Sequence, residues 1–104
     1  MNEEILGKLD ELIEDIYTSS ENTILSTRLR PTLNALKRYR SSISEFPKDV
    51  SAFYRETGEL PILGTTSNKS KRFKTYSYQI VENLIKGRPV QEVGKELISR
   101  IVNV

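Results

Sequence analysis

KGRPVQEVGKELISR, Lys86 to Arg100, carries the choice between two folds. Read as helix, turn and second helix, it is a DNA-reading helix-turn-helix. Read as a turn followed by one helix, it is the last helix of a core. A helix-turn-helix needs a tight turn, usually with a glycine, and then a recognition helix long enough to cross the major groove. A turn after Leu97 would hold no glycine, and only Arg100 to Val104 stand beyond Ser99. So short a remainder makes little more than one helical turn. Gly94 falls inside the periodic stretch, where a small residue permits close packing. From Pro89 onward, Val90, Val93, Leu97 and Ile101 recur at three- and four-residue steps, the spacing of one buried helical face. The stretch reads as a terminal core helix, and Gly87 as the left-handed stop of the helix before it.

Working outward, Arg72 to Lys86 is expected to be that preceding helix. Phe73, Tyr76, Ile80 and Leu84 share one stripe, and Tyr78, Val81 and Ile85 form a second beside it. A helix apolar over so wide an arc touches more than one neighbour. At the other end of the chain, Ile5, Leu9, Leu12, Ile13 and Ile16 make one apolar stripe, widened by Leu6 and Tyr17. Asn2 is the expected N-cap, and Glu3 and Glu4 suit the positive end of the helix dipole. Between these ends, Leu29, Leu33, Leu36, Tyr39 or Arg40, and Ile43 follow helical spacing around Pro31. Proline inside a helix removes a donor and clashes one turn back, so Pro31 is expected in a first turn. FPKDVSAFYRETG predicts a short helix with Pro47 in its first turn, Val50, Phe53 and Tyr54 inward, and Gly58 at its end. ELPILGTTSNKSK, rich in breakers, is the longest irregular stretch, within which LPIL is apolar enough to pack. Nothing alternates with period two for long enough to make a strand. The expectation is a single all-α domain over residues 1–104, a compact antiparallel bundle of four to five helices.

Composition excludes most chemistry. The chain has no histidine and no cysteine, so a structural zinc site lacks its usual ligands. Histidine bases, serine–histidine triads, cysteine nucleophiles and disulfides are excluded with them. Glu56 and Glu59, spaced one helical turn apart near Asp49, read as solvated acids. No phosphate loop, metal cluster or nucleophile motif accompanies them. A non-enzymatic binding protein without metal or cofactor is the expectation. No stretch approaches the ~20 apolar residues of a membrane span. The acidic, amphipathic start is unlike a secretory signal, so the chain is expected to act inside the cell, with peripheral membrane contact open to it.

The net charge of +2 conceals an asymmetry. Residues 1–25 hold seven acids against Lys8 alone, net −6, and the remainder is net +8. The two parts can neutralise each other in the fold, or present a basic face to a polyanion or an anionic membrane. Lys69, Lys71, Arg72 and Lys74 crowd together, interleaved with Phe73, Tyr76 and Tyr78. Cations with aromatics suit phosphates and unpaired bases, although each aromatic also has a place on a core stripe.

Two resemblances follow from particular stretches. NALKRYRSSISEFPKDV, TGELPILG and IVENLIKG resemble the small N-terminal domain of family-X DNA polymerases, through Tyr39, Arg40, Pro47, Leu60, Pro61, Gly64 and Gly87. That resemblance implies a glycine-rich turn aiming N–H groups at a DNA phosphate. The chain departs from it at Ile62, where a β-branched residue takes the place of the first hairpin glycine. ELIEDIY, with Glu11, Leu12, Asp15 and Ile16, is similar to the end of the first helix of class II, pediocin-like bacteriocin immunity proteins. YSYQIVENL, with Tyr76, Ile80, Val81, Asn83 and Leu84, is similar to their fourth helix. This second resemblance, which also covers size and layout, implies an intracellular helical bundle. It implies protection of the producer cell by recognition of a membrane receptor occupied by the bacteriocin. It further implies that the C-terminal part carries specificity, here Arg88, Lys95, Ile98, Arg100, Val102 and Val104. The alternative is a nucleic-acid-binding domain contacting DNA through the basic central segment, since residues 26–74 hold eleven bases against four acids.

Overall fold

The computed structural model describes residues 2–19, 23–61 and 75–102. They form five helices: α1 (Glu3–Ser19), α2 (Thr23–Glu45), α3 (Val50–Thr57), α4 (Tyr76–Ile85) and α5 (Val90–Val102). No strand occurs among the described residues, as the all-α reading expects. α1, α2, α4 and α5 pack on one another as a four-helix bundle, with α3 a short helix at its flank. The core follows the expected stripes, with Ile13, Tyr76 and Ile101 only partly buried and Phe73 outside the described residues. Leu9, Leu12 and Ile16 of α1, Leu29 and Leu36 of α2, Val81 and Leu84 of α4, and Leu97 of α5 are fully buried. Burying each such side chain stabilises the fold by roughly 1.5–3 kcal/mol. α1 and α2 run antiparallel, Asn2 reaching Ile43, Asp10 pairing with Arg40, and Tyr17 lying under Lys37.

Four local expectations are corrected. Pro31 lies inside α2, not in a first turn, because the helix starts at Thr23. The ring is exposed, so the missing hydrogen bond faces water. Leu29 on one side and Leu33, Leu36 and Ile43 on the other are all buried. Their combined burial outweighs the ~3 kcal/mol that an interior proline costs. Pro47 precedes α3 in a bend, and Asp49 caps that helix by accepting from the Ala52 N–H at 3.1 Å. α4 begins at Tyr76 rather than Arg72. Thr75 is extended and its hydroxyl oxygen accepts from the Tyr78 N–H, which fixes the N-cap there. Tyr17 does not widen the buried stripe: it is 63% exposed beneath the Lys37 ammonium.

Both glycine stops are as expected. Gly58 at φ 74° ends α3, and Gly87 at φ 94° ends α4. After α4 the Gly87 N–H bonds to the Leu84 carbonyl and the Arg88 N–H to the Asn83 carbonyl, both at 3.1 Å. This doubled closure turns the chain sharply into α5. α5 is a single helix with Val93 and Leu97 buried, so the stretch from Lys86 to Arg100 is a turn and a core helix.

Candidate functional site

At Gly94, α5 presents no side chain to Leu12 of α1. A Cβ on Gly94 would stand 3.4 Å from Leu12 Cδ1. Beside this contact the helices diverge around a groove of about 310 Å³. Glu14, Asp15 and Thr18 of α1 form one wall; Gln91, Lys95 and Ile98 of α5 form the other; Ile16 and Gly94 lie at the base. Helical spacing alone produces the α5 wall, since Gln91, Lys95 and Ile98 recur at four and three residues, beside the core stripe of Val90, Val93 and Leu97.

The walls carry opposite charge, yet no ion pair among the described residues joins Lys95 to Glu14 or Asp15. These groups remain hydrated at the rim while half-buried Ile98 supplies an apolar surface between them. Such an arrangement can hold a partner by shape and charge. Among the described residues no group of His, Cys, Asp and Glu side chains could hold a metal ion, and no helix is long and apolar enough to cross a membrane.

The residues expected to contact a partner divide between two flanks of α5. Lys95 and Ile98 line the groove. Arg88 instead forks onto Glu92 at 2.7 Å and Glu96 at 2.9 Å. Hydrogen bonding to Arg88 holds the Glu96 carboxyl below its ordinary value. The Arg100 guanidinium lies 4.0 Å from the centroid of the Tyr76 ring, on the side facing α4. Burial raises the Tyr76 phenol, partly opposed by the Arg100 charge. Val102 closes α5, while Val104 lies outside the described residues, as do Lys69, Lys71, Arg72 and Lys74 of the basic run and Ile62 and Gly64 of the hairpin-like stretch. Glu56 and Glu59 do not share a helix, because Gly58 ends α3 between them. Sequence reasoning missed Glu14, Asp15, Thr18 and Gln91 as groove residues. They read as a solvated face until α5 is placed against α1.

Other polar groups are committed to the fold. Asn2 is 8% exposed, and its side chain does not cap α1. Its Oδ1 accepts from the Val50 N–H at 2.8 Å, and its Nδ2 donates to the carbonyls of Lys48 at 2.9 Å and Ile43 at 3.4 Å. One amide thereby ties the start of α1 to both ends of the α2–α3 connection. The Tyr54 hydroxyl donates to buried Glu82 at 2.6 Å, and the Leu60 N–H donates to the Tyr78 hydroxyl oxygen at 2.9 Å. These bonds fasten α3 and the following segment to α4. A smaller cavity of about 160 Å³ opens at the same end of the bundle, near Lys8 and Arg55. The Lys8 ammonium there already donates to the Leu84 carbonyl, at the negative end of α4.

α2 exposes Arg28, Arg30, Lys37 and Arg38, and Glu45 is its only acid. No family model, curated protein or solved structure matches the chain.

Proposed function

We propose that the chain is a small non-enzymatic, helical protein-binding module, and within that class an immunity protein of the class II, pediocin-like bacteriocin type. In this reading it protects the producing cell from inside by recognising a membrane receptor occupied by the bacteriocin. The observation that carries the reading is the α1–α5 groove. It brings Lys95 and Ile98, from the part of the chain expected to hold specificity, against Asp15 of the ELIEDIY stretch. An acidic amphipathic α1 and an all-helical bundle of this size support it further. The test is expression in a sensitive strain challenged with a panel of pediocin-like bacteriocins. Survival against one of them is expected, and Lys95→Glu or Ile98→Asp should abolish protection while helical circular dichroism is retained. Unchanged killing across the whole panel sinks the reading.

A second reading, nucleic-acid contact, draws support from the exposed cations of α2. Its general test is binding to nucleic acid at low salt that weakens steeply as salt rises, through counterion release.

A further inference from the structure

We infer that the outward face of α2 docks in the major groove of duplex DNA, with Arg30, Asn34 and Arg38 reading base edges. The inference rests on the second reading above and names its ligand and its contact surface. All three residues are exposed, as are Arg28, Lys37 and Ser41 around them. Spacing of four and four places Arg30, Asn34 and Arg38 within an arc of about 80° and along about 12 Å of helix. Arg28, Arg30 and Arg38 have no ion-pair partner among the described residues, whereas Lys8, Arg40 and Arg88 are all paired. No acid interrupts α2 before Glu45, close to its end.

The chemistry selects the ligand. A major groove ~12 Å wide accepts an α-helix, arginine pairs with both acceptors of guanine, and asparagine pairs with the donor and acceptor of adenine. Arg28 and Lys37 flank this set and suit phosphates, the contacts that position a protein without reading sequence. A single strand would call for several stacking aromatics; α2's described outward face has none of its own, and the one exposed ring at its edge, Tyr17 of α1, already lies under Lys37. Duplex RNA has a major groove too deep and narrow for side chains to read. An anionic bilayer would favour large apolar side chains among the cations. Among the described residues the exposed large hydrophobic is Tyr17, on α1.

The experiment is fluorescence anisotropy with a short mixed-sequence DNA duplex, its single strand, the same duplex as RNA, and phosphatidylglycerol vesicles. Selection from randomised DNA duplexes accompanies it. Duplex DNA should bind tightest at low salt. Arg30→Gln and Arg38→Gln should each weaken binding to the best selected sequence by roughly 5- to 150-fold, the range for one bidentate base contact. Asn34→Ala should relax selection at one A·T position while changing affinity for the unselected pool by less than about threefold. Arg28→Gln should reduce the slope of log affinity against log salt by about one. All four positions are exposed, and circular dichroism checks that the variants fold. No binding to any nucleic acid at low salt removes both the second reading and this inference. Equal or tighter binding to the single strand or RNA, or binding unmoved by the α2 variants, overturns α2 as the reading helix and leaves the broader reading standing. Binding to vesicles but to no nucleic acid overturns both.

Discussion

Asn2 shows how much of this fold can rest on one side chain. Asn2→Ala leaves the Val50 N–H without its acceptor in a buried setting and cuts the tether to the Ile43 and Lys48 carbonyls. A loss of about 1–3 kcal/mol is expected in urea denaturation. Asn2→Asp keeps the acceptor but sets a carboxylate against two carbonyl oxygens, so it should cost at least as much at neutral pH. Tyr54 makes a separate prediction. Its phenol is pushed up to about 12, first by the hydrogen bond to Glu82 and then by burial. An unfolded tyrosine titrates near ~10, so the fold favours the neutral phenol. That contribution is complete below the unfolded value and is lost as pH climbs from there through the folded one. Burial also raises the Tyr76 phenol, so ultraviolet titration should find two phenolates emerging late, and Tyr54→Phe should remove one of them and cost about 1–3 kcal/mol. The sequence marks neither residue for these roles. Asn2 looked like an N-cap because its position is that of an N-cap, and only the α2–α3 connection folding back over it reveals the other partners.

At the scale of the element, α2 is where local preference and packing disagree. Pro31 would by itself have opened a helix, but the chain carries α2 through it because apolar residues on both sides bury against α1 and α4. Pro31→Ala restores a backbone donor at an exposed site. It should raise the urea midpoint by about 1–3 kcal/mol of stability with an unchanged m-value. A part of the gain is offset because alanine leaves the unfolded chain freer. No gain at all would mean that the proline geometry is itself used in packing. The helix ends follow the opposite logic. Gly58, Gly87, Asp49 and Thr75 act through local backbone geometry, which neighbours do not override. The glycine stops were legible in the sequence for that reason. The starts of α3 and α4 lie a few residues beyond where Pro47 and the stripe through Phe73 would place them, because the capping side chains of Asp49 and Thr75 fix them.

At the scale of the whole molecule, α1 makes the most extensive contacts of the bundle helices, and it meets α5 where Gly94 stands against Leu12. Gly94→Ala should stay within about 1 kcal/mol of the parent, since better helix propensity offsets a tight contact with Leu12. Gly94→Leu cannot be housed without parting α1 from α5, and should cost about 1–3 kcal/mol in urea denaturation as the core is overpacked. The bundle also sorts its charge. Asp10 is neutralised by Arg40 at the α1–α2 seam, which leaves Glu14 and Asp15 toward α5 and the remaining α2 cations on the outer face. Neither the groove nor the basic face is contiguous in sequence. By itself the sequence determined the helical class, the apolar stripes, the glycine stops and the absence of histidine and cysteine chemistry. Each of these depends on residue type and spacing within a few turns. Only the tertiary structure decided that Lys95 and Ile98 face Asp15, that Arg88 and Arg100 are occupied on the other flank, and that Asn2 and Glu82 are buried among partners. Those contacts join residues far apart in the chain, and periodicity says which face of a helix is buried but not which helix will cover it.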